Sequence, residues 1–271
     1  MGRIKFKSFS SGSCGNCYYL GIFREDGSCK ASILIDAGVS PRRLRKEFAS
    51  DGLSLDGIDA ILVTHDHLDH IRSLGSFCKH LGKPVWATGK LLGALSRHFM
   101  TGEHLGPLKK ELSEGWNDIV PGSISARWFE VPHDATQTVG FAIRLEEHLY
   151  VHVTDCGKIT EEAAGWCGKA DTLILESNYD SDMLYNGSYP EELQERISGG
   201  NGHLSNKECA EVLKNCRQSN LKNVFLCHLS EHNNTPRLAL ESAREAMPDF
   251  PRIIPLPRQT PSPLFNLEKI L

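Results

Sequence analysis

The sequence predicts an α/β fold in which two β-sheets pack face to face and helices cover the outside. Short apolar or alternating runs follow one another directly at the start (residues 4–9, 18–23 and 31–35) and later recur between helical stretches. Strands in runs, then strands alternating with helices, suit two sheets that share a core. Hydrophobic residues are 40% of the 271, enough for a large core, and no repeat, low-complexity block or linker divides them. Residues 1–271 are therefore read as one domain.

Between the first two strands, Ser10-Ser11-Gly12-Ser13-Cys14-Gly15-Asn16 reads as a small-residue loop that turns tightly and exposes backbone N–H groups. The third strand ends in Asp36-Ala37-Gly38. Ser40 then caps a helix that Pro41 opens and that runs to about residue 50. A strand over 58–64 precedes a helix over 69–80, a short strand over 84–87 and a helix over 89–99. After a less regular region come strands near 124–131, 139–146 and 149–154, a helix from about 160, and a strand over 172–176. The polar, glycine-rich stretch 178–202 holds one helix after Pro190. A helix over 204–216, a strand over 223–227 and a helix over 236–246 follow, with a closing strand near 252–256.

A net charge of −4 excludes a basic nucleic-acid binder of the histone kind but leaves room for a local cationic groove. No apolar run has the length to cross a bilayer, and no membrane partner is expected. Met1 to Phe6 alternates charge with apolar residues and lacks a signal-peptide core. Nine scattered cysteines, an odd number, argue against a secreted disulfide framework, so a cytoplasmic location is expected.

The stretch Thr64-His65-Asp66-His67-Leu68-Asp69-His70 carries the chemistry. Three imidazoles and two carboxylates stand between an apolar strand and a helix start. A lone His-x-His is commonly a polar loop and Asp69 alone could be a cap. Five ligand-type side chains in six positions instead point to divalent metal, with imidazole and carboxylate suiting zinc, manganese or iron(II).

His65-x-His67-x-Asp69-His70 resembles the signature of the metallo-β-lactamase superfamily. Four further elements follow its order: Asp36 at a strand end, His133 after Phe129-Glu130-Val131-Pro132, Asp155 in Val153-Thr154-Asp155-Cys156-Gly157, and His228 in Leu226-Cys227-His228-Leu229-Ser230. The resemblance implies a four-layer αββα sandwich with two divalent metal ions at its upper edge. It implies one metal on His65, His67, His133 and Asp155, a second on Asp69, His70, Asp155 and His228, and Asp36 orienting ligands from behind. Asp69 is also implied in catalysis, and a metal-bridging hydroxide is the implied nucleophile, since metal binding depresses the pKa of water.

Fold-level likeness does not choose a substrate. Glu176-Ser177-Asn178 and Gly202-His203-Leu204-Ser205-Asn206 resemble the nuclease branch that includes ribonuclease Z and ribonuclease J. That branch implies His203 at the scissile phosphate, with Glu176 orienting it or managing a proton. A helix opening after His203 would add N–H groups and dipole for an anion, with Ser205 and Asn206 beside the phosphate. The chain as a whole is similar to the YycJ (WalJ) group of small metallo-β-lactamase-fold proteins, through Ser11 to Asn16, His133-Asp134-Ala135, Tyr189-Pro190 and Asn233-Asn234 besides the motifs above. That likeness implies a nuclease with DNA, more than RNA, as its nucleic-acid partner and 5′-to-3′ exonuclease action. The alternatives are a hydrolase of small esters, thioesters or lactams on the same site, and a silent nucleic-acid-binding module.

Other features are read more plainly. Cys14-Gly15-Asn16-Cys17 is a lone Cys-x-x-Cys that shapes a loop, and Cys156 and Cys227 are packing residues. His232 is read as a solvated loop histidine. The basic run Arg42, Arg43, Arg45 and Lys46 is the wet face of a helix or a contact to a nucleic-acid backbone. Trp116 and Trp128 either pack or stack on bases.

Overall fold

Gly12 pairs with Gly15 across the two residues Ser13 and Cys14, so the segment read as a loop is the tight corner of a long hairpin. In the computed structural model, which describes residues 3–216 and 220–268, this hairpin joins β1 (Arg3–Gly12) to β2 (Gly15–Phe23). Met1 and Gly2 of the alternating N-terminal stretch lie outside the described residues. The strands outrun the expected spans because serines and glycines continue the ladder after the apolar alternation stops.

The first sheet continues through β3 (Cys29–Ile35), β4 (Ala60–Leu62), β5 (Val85–Ala87) and β6 (Lys109–Glu111). The second is built from β7 (Asn117–Val120), β8 (Ile124–Val131), β9 (Thr138–Leu145), β10 (His148–Val153), β11 (Thr172–Glu176), β12 (Asn223–Cys227) and β13 (Ile253–Pro255). A two-residue strand, β14 (Phe265–Asn266), pairs with β1 and closes the first sheet. The orders are β14-β1-β2-β3-β4-β5-β6 and β13-β12-β11-β10-β9-β8-β7. β3 to β6 run parallel in one sheet and β10 to β13 in the other. The expected sandwich is present. Sequence reading missed β6, β7 and β14, which are short and, in β6, entirely polar.

Alternation along the central strands sets the layers. Tyr150, Ile174 and Phe225 face the space between the sheets, where Phe6 and Tyr18 meet them. Their neighbours Val151, Leu173, Leu175, Val224 and Leu226 face outward, under the helices α6 (Glu161–Cys167), α9 (Asn206–Asn215) and α10 (Pro236–Ala246). On the other side α1 (Pro41–Ser50), α3 (Leu74–Leu81) and α4 (Gly89–Arg97) cover the first sheet through Leu44, Phe48, Phe77 and Leu91. Single-turn helices α2 (Leu68–Ile71), α5 (Gly102–Leu105) and α7 (Ser181–Tyr185), and α8 (Glu191–Ser198) before α9, complete the chain.

The single helix expected over 69–80 is divided into α2 and α3. Ser73 N–H leaves the helical ladder and donates to Ala37 O at 3.0 Å, while Ala37 N–H donates to His70 O at 2.7 Å. Backbone pairing with the turn after β3 therefore breaks the helix and fixes the metal motif against that turn. Among the described residues no helix is long and apolar enough to cross a membrane.

Candidate metal centre

The ligand-type side chains gather where the parallel strands of both sheets end at their carboxyl termini, the usual mouth of an open α/β sheet. Asp36 follows β3, His65 follows β4, Asp155 follows β10, Glu176 ends β11 and His228 follows β12. Asp36, Asp155 and His228 have φ of 60°, 50° and 54°, so the chain turns left-handed as it leaves each strand. Such angles are uncommon for residues other than glycine and concentrate at functional sites.

Asp36, fully buried, organises the first half of the site. Its Oδ1 accepts from Thr64 N–H at 2.8 Å, and its Oδ2 accepts from Thr64 Oγ1 at 2.8 Å and from His70 Nδ1 at 2.7 Å. Because Thr64 Oγ1 spends its proton on Asp36, it accepts from His65 Nδ1 at 3.0 Å. One carboxylate thus places both Nδ1 protons and turns both Nε2 lone pairs the other way, the usual support for metal-binding histidines.

Those lone pairs converge. Ligand-type atoms of His65, His67 and His133 lie within 4.8 Å of one another, as do those of Asp69, His70 and His228. Asp155 stands between the groups, with its carboxylate oxygens 3.1 Å from His70 Nε2, 3.6 Å from His133 Nε2 and 3.5 Å from His228 Nδ1. Burial works against charge on His70, but Asp36, then Asp155 and Asp69, outweigh it and push its pKa up to about 10. For His228, too, burial is outweighed, chiefly by Asp155, and the pKa is raised. His65 is held neutral, by burial first and by the positive field of His70 second. The carboxylates here favour positive charge, and a divalent cation answers that field as well as protons do.

The residues fit a metal on their own evidence. His65 Nε2 and His228 Nε2 are buried without a hydrogen-bond partner, a costly state for a polar atom unless something binds it. His133 Nδ1 is committed to Gly202 O at 2.8 Å, leaving Nε2 toward the cluster. The donor set is imidazole and carboxylate without thiolate, which suits zinc, manganese or iron(II).

Behind the second group, buried Glu176 accepts from His203 Nδ1 at 2.8 Å and lies 3.0 Å from His228 Nδ1 through Oε1. Its Oε2 accepts from Cys156 N–H and Leu204 N–H at 2.8 and 3.2 Å. His67, Asp69, His133, Asp155, His203 and His228 line one cavity of about 200 Å³.

Two residues expected beside the phosphate, Ser205 and Asn206, have partners of their own. Ser205 Oγ is the N-cap of α9, in a reciprocal capping box with Glu208, and Asn206 is buried between Ser177 and Asn234. Neither lines the cavity. The capping box takes Ser205 N–H and Glu208 N–H, Tyr179 O takes Asn206 N–H, and His203 is held by Glu176. Trp116 packs edge-on to Trp166 beneath Arg144, and Trp128 donates to Ser113 O. In the basic run, Arg43 is bound to Phe9 O and Gln259 O and Arg45 pairs with Asp56. Cys14 is exposed in the hairpin corner, and Cys17 is buried on β2. His232 lies edge-on to Tyr189.

Sequence reading gave no separate role to Asn16, Thr64, Asp134 or Arg196. Asn16 Nδ2 reaches Asp69 Oδ2 at 2.9 Å and His70 Nε2 at 2.8 Å, from a hairpin 53 positions away. Asp134 and Arg196 meet at the cavity wall.

Fold and site together define a sandwich with a two-part centre of histidines and carboxylates at one edge, and residues 31–228 match the family model described as Beta-lactamase superfamily domain. The chain belongs to that superfamily. It is 32% identical over 236 residues to the exodeoxyribonuclease WalJ of Streptococcus pneumoniae, covering 87% of this chain and 85% of that one. To the exodeoxyribonuclease YycJ of Bacillus anthracis it is 30% identical over 248 residues, covering 90% and 89%. Among solved structures, the metallo-β-lactamase fold protein YhfI of Bacillus subtilis superimposes with a TM-score of 0.69 at 16% identity, covering 96% and 99%, a likeness of fold.

Proposed function

We propose that this chain is a metal-dependent phosphodiesterase, a nuclease that shortens DNA from its 5′ end, with residues 1–271 acting as one domain. Its family and its two exodeoxyribonuclease relatives, matched over most of their length, support a metal-dependent hydrolase of the nuclease kind. DNA rather than RNA, and the direction of digestion, rest on those relatives and on the motifs in the sequence. A cytoplasmic location, inferred from nine scattered cysteines, belongs to the same proposal.

In this reading His65, His67, His133 and Asp155 hold one divalent ion, and Asp69, His70, Asp155 and His228 hold another, zinc or manganese, with iron(II) also suited. Bound there, divalent ions supply a hydroxide at neutral pH and positive charge against the phosphate. Asp36 and Thr64 keep the tautomers of His65 and His70 fixed. Asn16 holds Asp69 in place, and Asp69 serves catalysis through that placement. Glu176 accepts from His203 Nδ1–H, so with Nε2 also protonated His203 would steady the phosphate or hand that proton to the departing oxygen.

The observation that carries the choice of substrate is the Glu176–His203 pair beside the ligand cluster, at 2.8 Å. A small ester or thioester has no phosphate for such a group to steady. Metal-loaded protein incubated with labelled single- and double-stranded DNA, RNA and p-nitrophenyl esters decides the matter. The expected result is DNA shortened from the 5′ end, abolished by chelation and restored by zinc or manganese. Turnover of esters with no cleavage of any nucleic acid overturns the proposal.

A further inference from the structure

We infer that Arg196 is a substrate-binding residue, gripping the phosphate next to the scissile one along the strand, with Asp134 as the residue that positions it. This rests on the nuclease reading and goes beyond it. Among the described residues lining the cavity, Arg196 is the one lysine or arginine. The floor is buried: side chains of Asp155, His133 and His228 are 3%, 2% and 4% exposed. Arg196, on α8, is 66% exposed at the rim. The scissile phosphate belongs over the buried cluster, so a cation at the rim meets the strand one linkage on.

The guanidinium is aimed rather than loose. Its Nε and Nη2 both bind Asp134 Oδ2, at 2.7 and 2.5 Å, and two donors spent on one oxygen leave the outer N–H groups of a rigid fork for a second anion. Asp134 is itself tied to the centre through its main chain. Its backbone oxygen lies 3.3 Å from His67 Nε2. The rim arginine and any cation held by that histidine are therefore placed by one short chain of contacts. Leu193 and Ile197, one helical turn apart on α8, line the same wall and offer apolar surface to the sugar or base between the two phosphates.

The test compares wild type, Arg196→Ala and Arg196→Lys on a single strand and on a copy whose penultimate linkage is an uncharged methylphosphonate. Bis(p-nitrophenyl) phosphate, which has no second phosphate, is the third substrate. Arg196→Ala should lower kcat/KM on the natural strand by about tenfold or more, mainly through KM. The slope of log(kcat/KM) against log salt should become shallower by about 0.7. Arg196→Lys should recover part of the loss. The methylphosphonate should cost wild type a similar factor and cost Arg196→Ala little more, because both changes delete one contact. Equal kcat/KM for wild type and Arg196→Ala on the natural strand overturns this inference and leaves the nuclease reading standing. So does an equal loss on bis(p-nitrophenyl) phosphate, which would mark a structural role through Asp134. Wild type inactive on every nucleic acid overturns both.

Discussion

Glu176 Oε1 lies 2.8 Å from His203 Nδ1 and 3.0 Å from His228 Nδ1, so one buried carboxylate oxygen serves two histidines with different tasks. Burial would raise its pKa, but His203 and His228 outweigh burial and keep it ionised. With Oε2 occupied by two backbone N–H groups, the carboxylate has no idle oxygen and little freedom to move.

His203→Ala should therefore lower kcat on nucleic acid by about 10²–10⁴ while metal content stays near that of wild type. Glu176→Gln should cause a comparable loss and also reduce metal content, because it loosens His228 as well. The double variant should be no worse than the worse single one, since both remove one device. Kinetics paired with metal analysis read this. Loss of metal in His203→Ala would mean that His203 is itself a ligand.

Asp36 gives the second prediction. Removing its carboxylate strands Thr64 N–H, Thr64 Oγ1 and His70 Nδ1 in a dry interior, and alanine also resists the left-handed φ of 60°. Asp36→Ala should cost about 3–5 kcal/mol in urea unfolding, with metal binding lost. Asp36→Asn should cost less, since asparagine tolerates that backbone and can still accept from Thr64. Wild-type stability and metal content in Asp36→Ala would refute the role given to it.

Gly38 is a matter of space. A Cβ there would stand 1.7 Å from Asp69 O and 2.6 Å from Asn16 N, where the hairpin corner and the metal motif press on the turn after β3. Gly38→Ala must push Asn16 and Asp69 apart, at a cost of about 1–3 kcal/mol. Metal affinity should fall with stability, because Asn16 is what holds Asp69. A variant that binds metal as wild type does would show that this contact is slack.

How much of this was legible differs by residue. His65, His67, Asp69 and His70 are close in sequence, and their chemistry is visible as density of ligand types. Asp36, His133, Asp155 and His228 are single residues among ordinary neighbours, and only the family resemblance selected them. Asn16 and Arg196 act through contacts across 53 and 62 positions, which periodicity cannot reveal. Ser205, expected beside the phosphate, caps α9, and that role was readable locally. Ser205-Asn206-Lys207-Glu208 is a capping box, and such a box uses the helix N–H groups itself. The division of the 69–80 helix had no local cause at all, since it comes from tertiary pairing with Ala37.

His148 contributes a separable part of the pH dependence of folding. Burial lowers its pKa to about 4, with Asp171 opposing and Lys222 adding, while its Nε2 meets Thr172 Oγ1 at 2.9 Å. His152, fully buried beside Tyr18 and Tyr150, is lowered further, to about 3, by burial first and His70 second. Each folded value lies below the roughly 6.5 of an exposed histidine, so as pH falls the unfolded chain takes up protons that the folded chain refuses. The contribution of these two histidines is full above about pH 6.5 and declines below it, with His148 alone accounting for up to about 3 kcal/mol of loss by pH 4. Urea unfolding of chelated protein from pH 7.5 to 5 stays above the carboxylate range and isolates the histidines. His148→Gln should make that profile shallower by the His148 share, since glutamine has no proton to gain. A profile as steep as that of wild type would mean that His148 titrates normally in the folded chain.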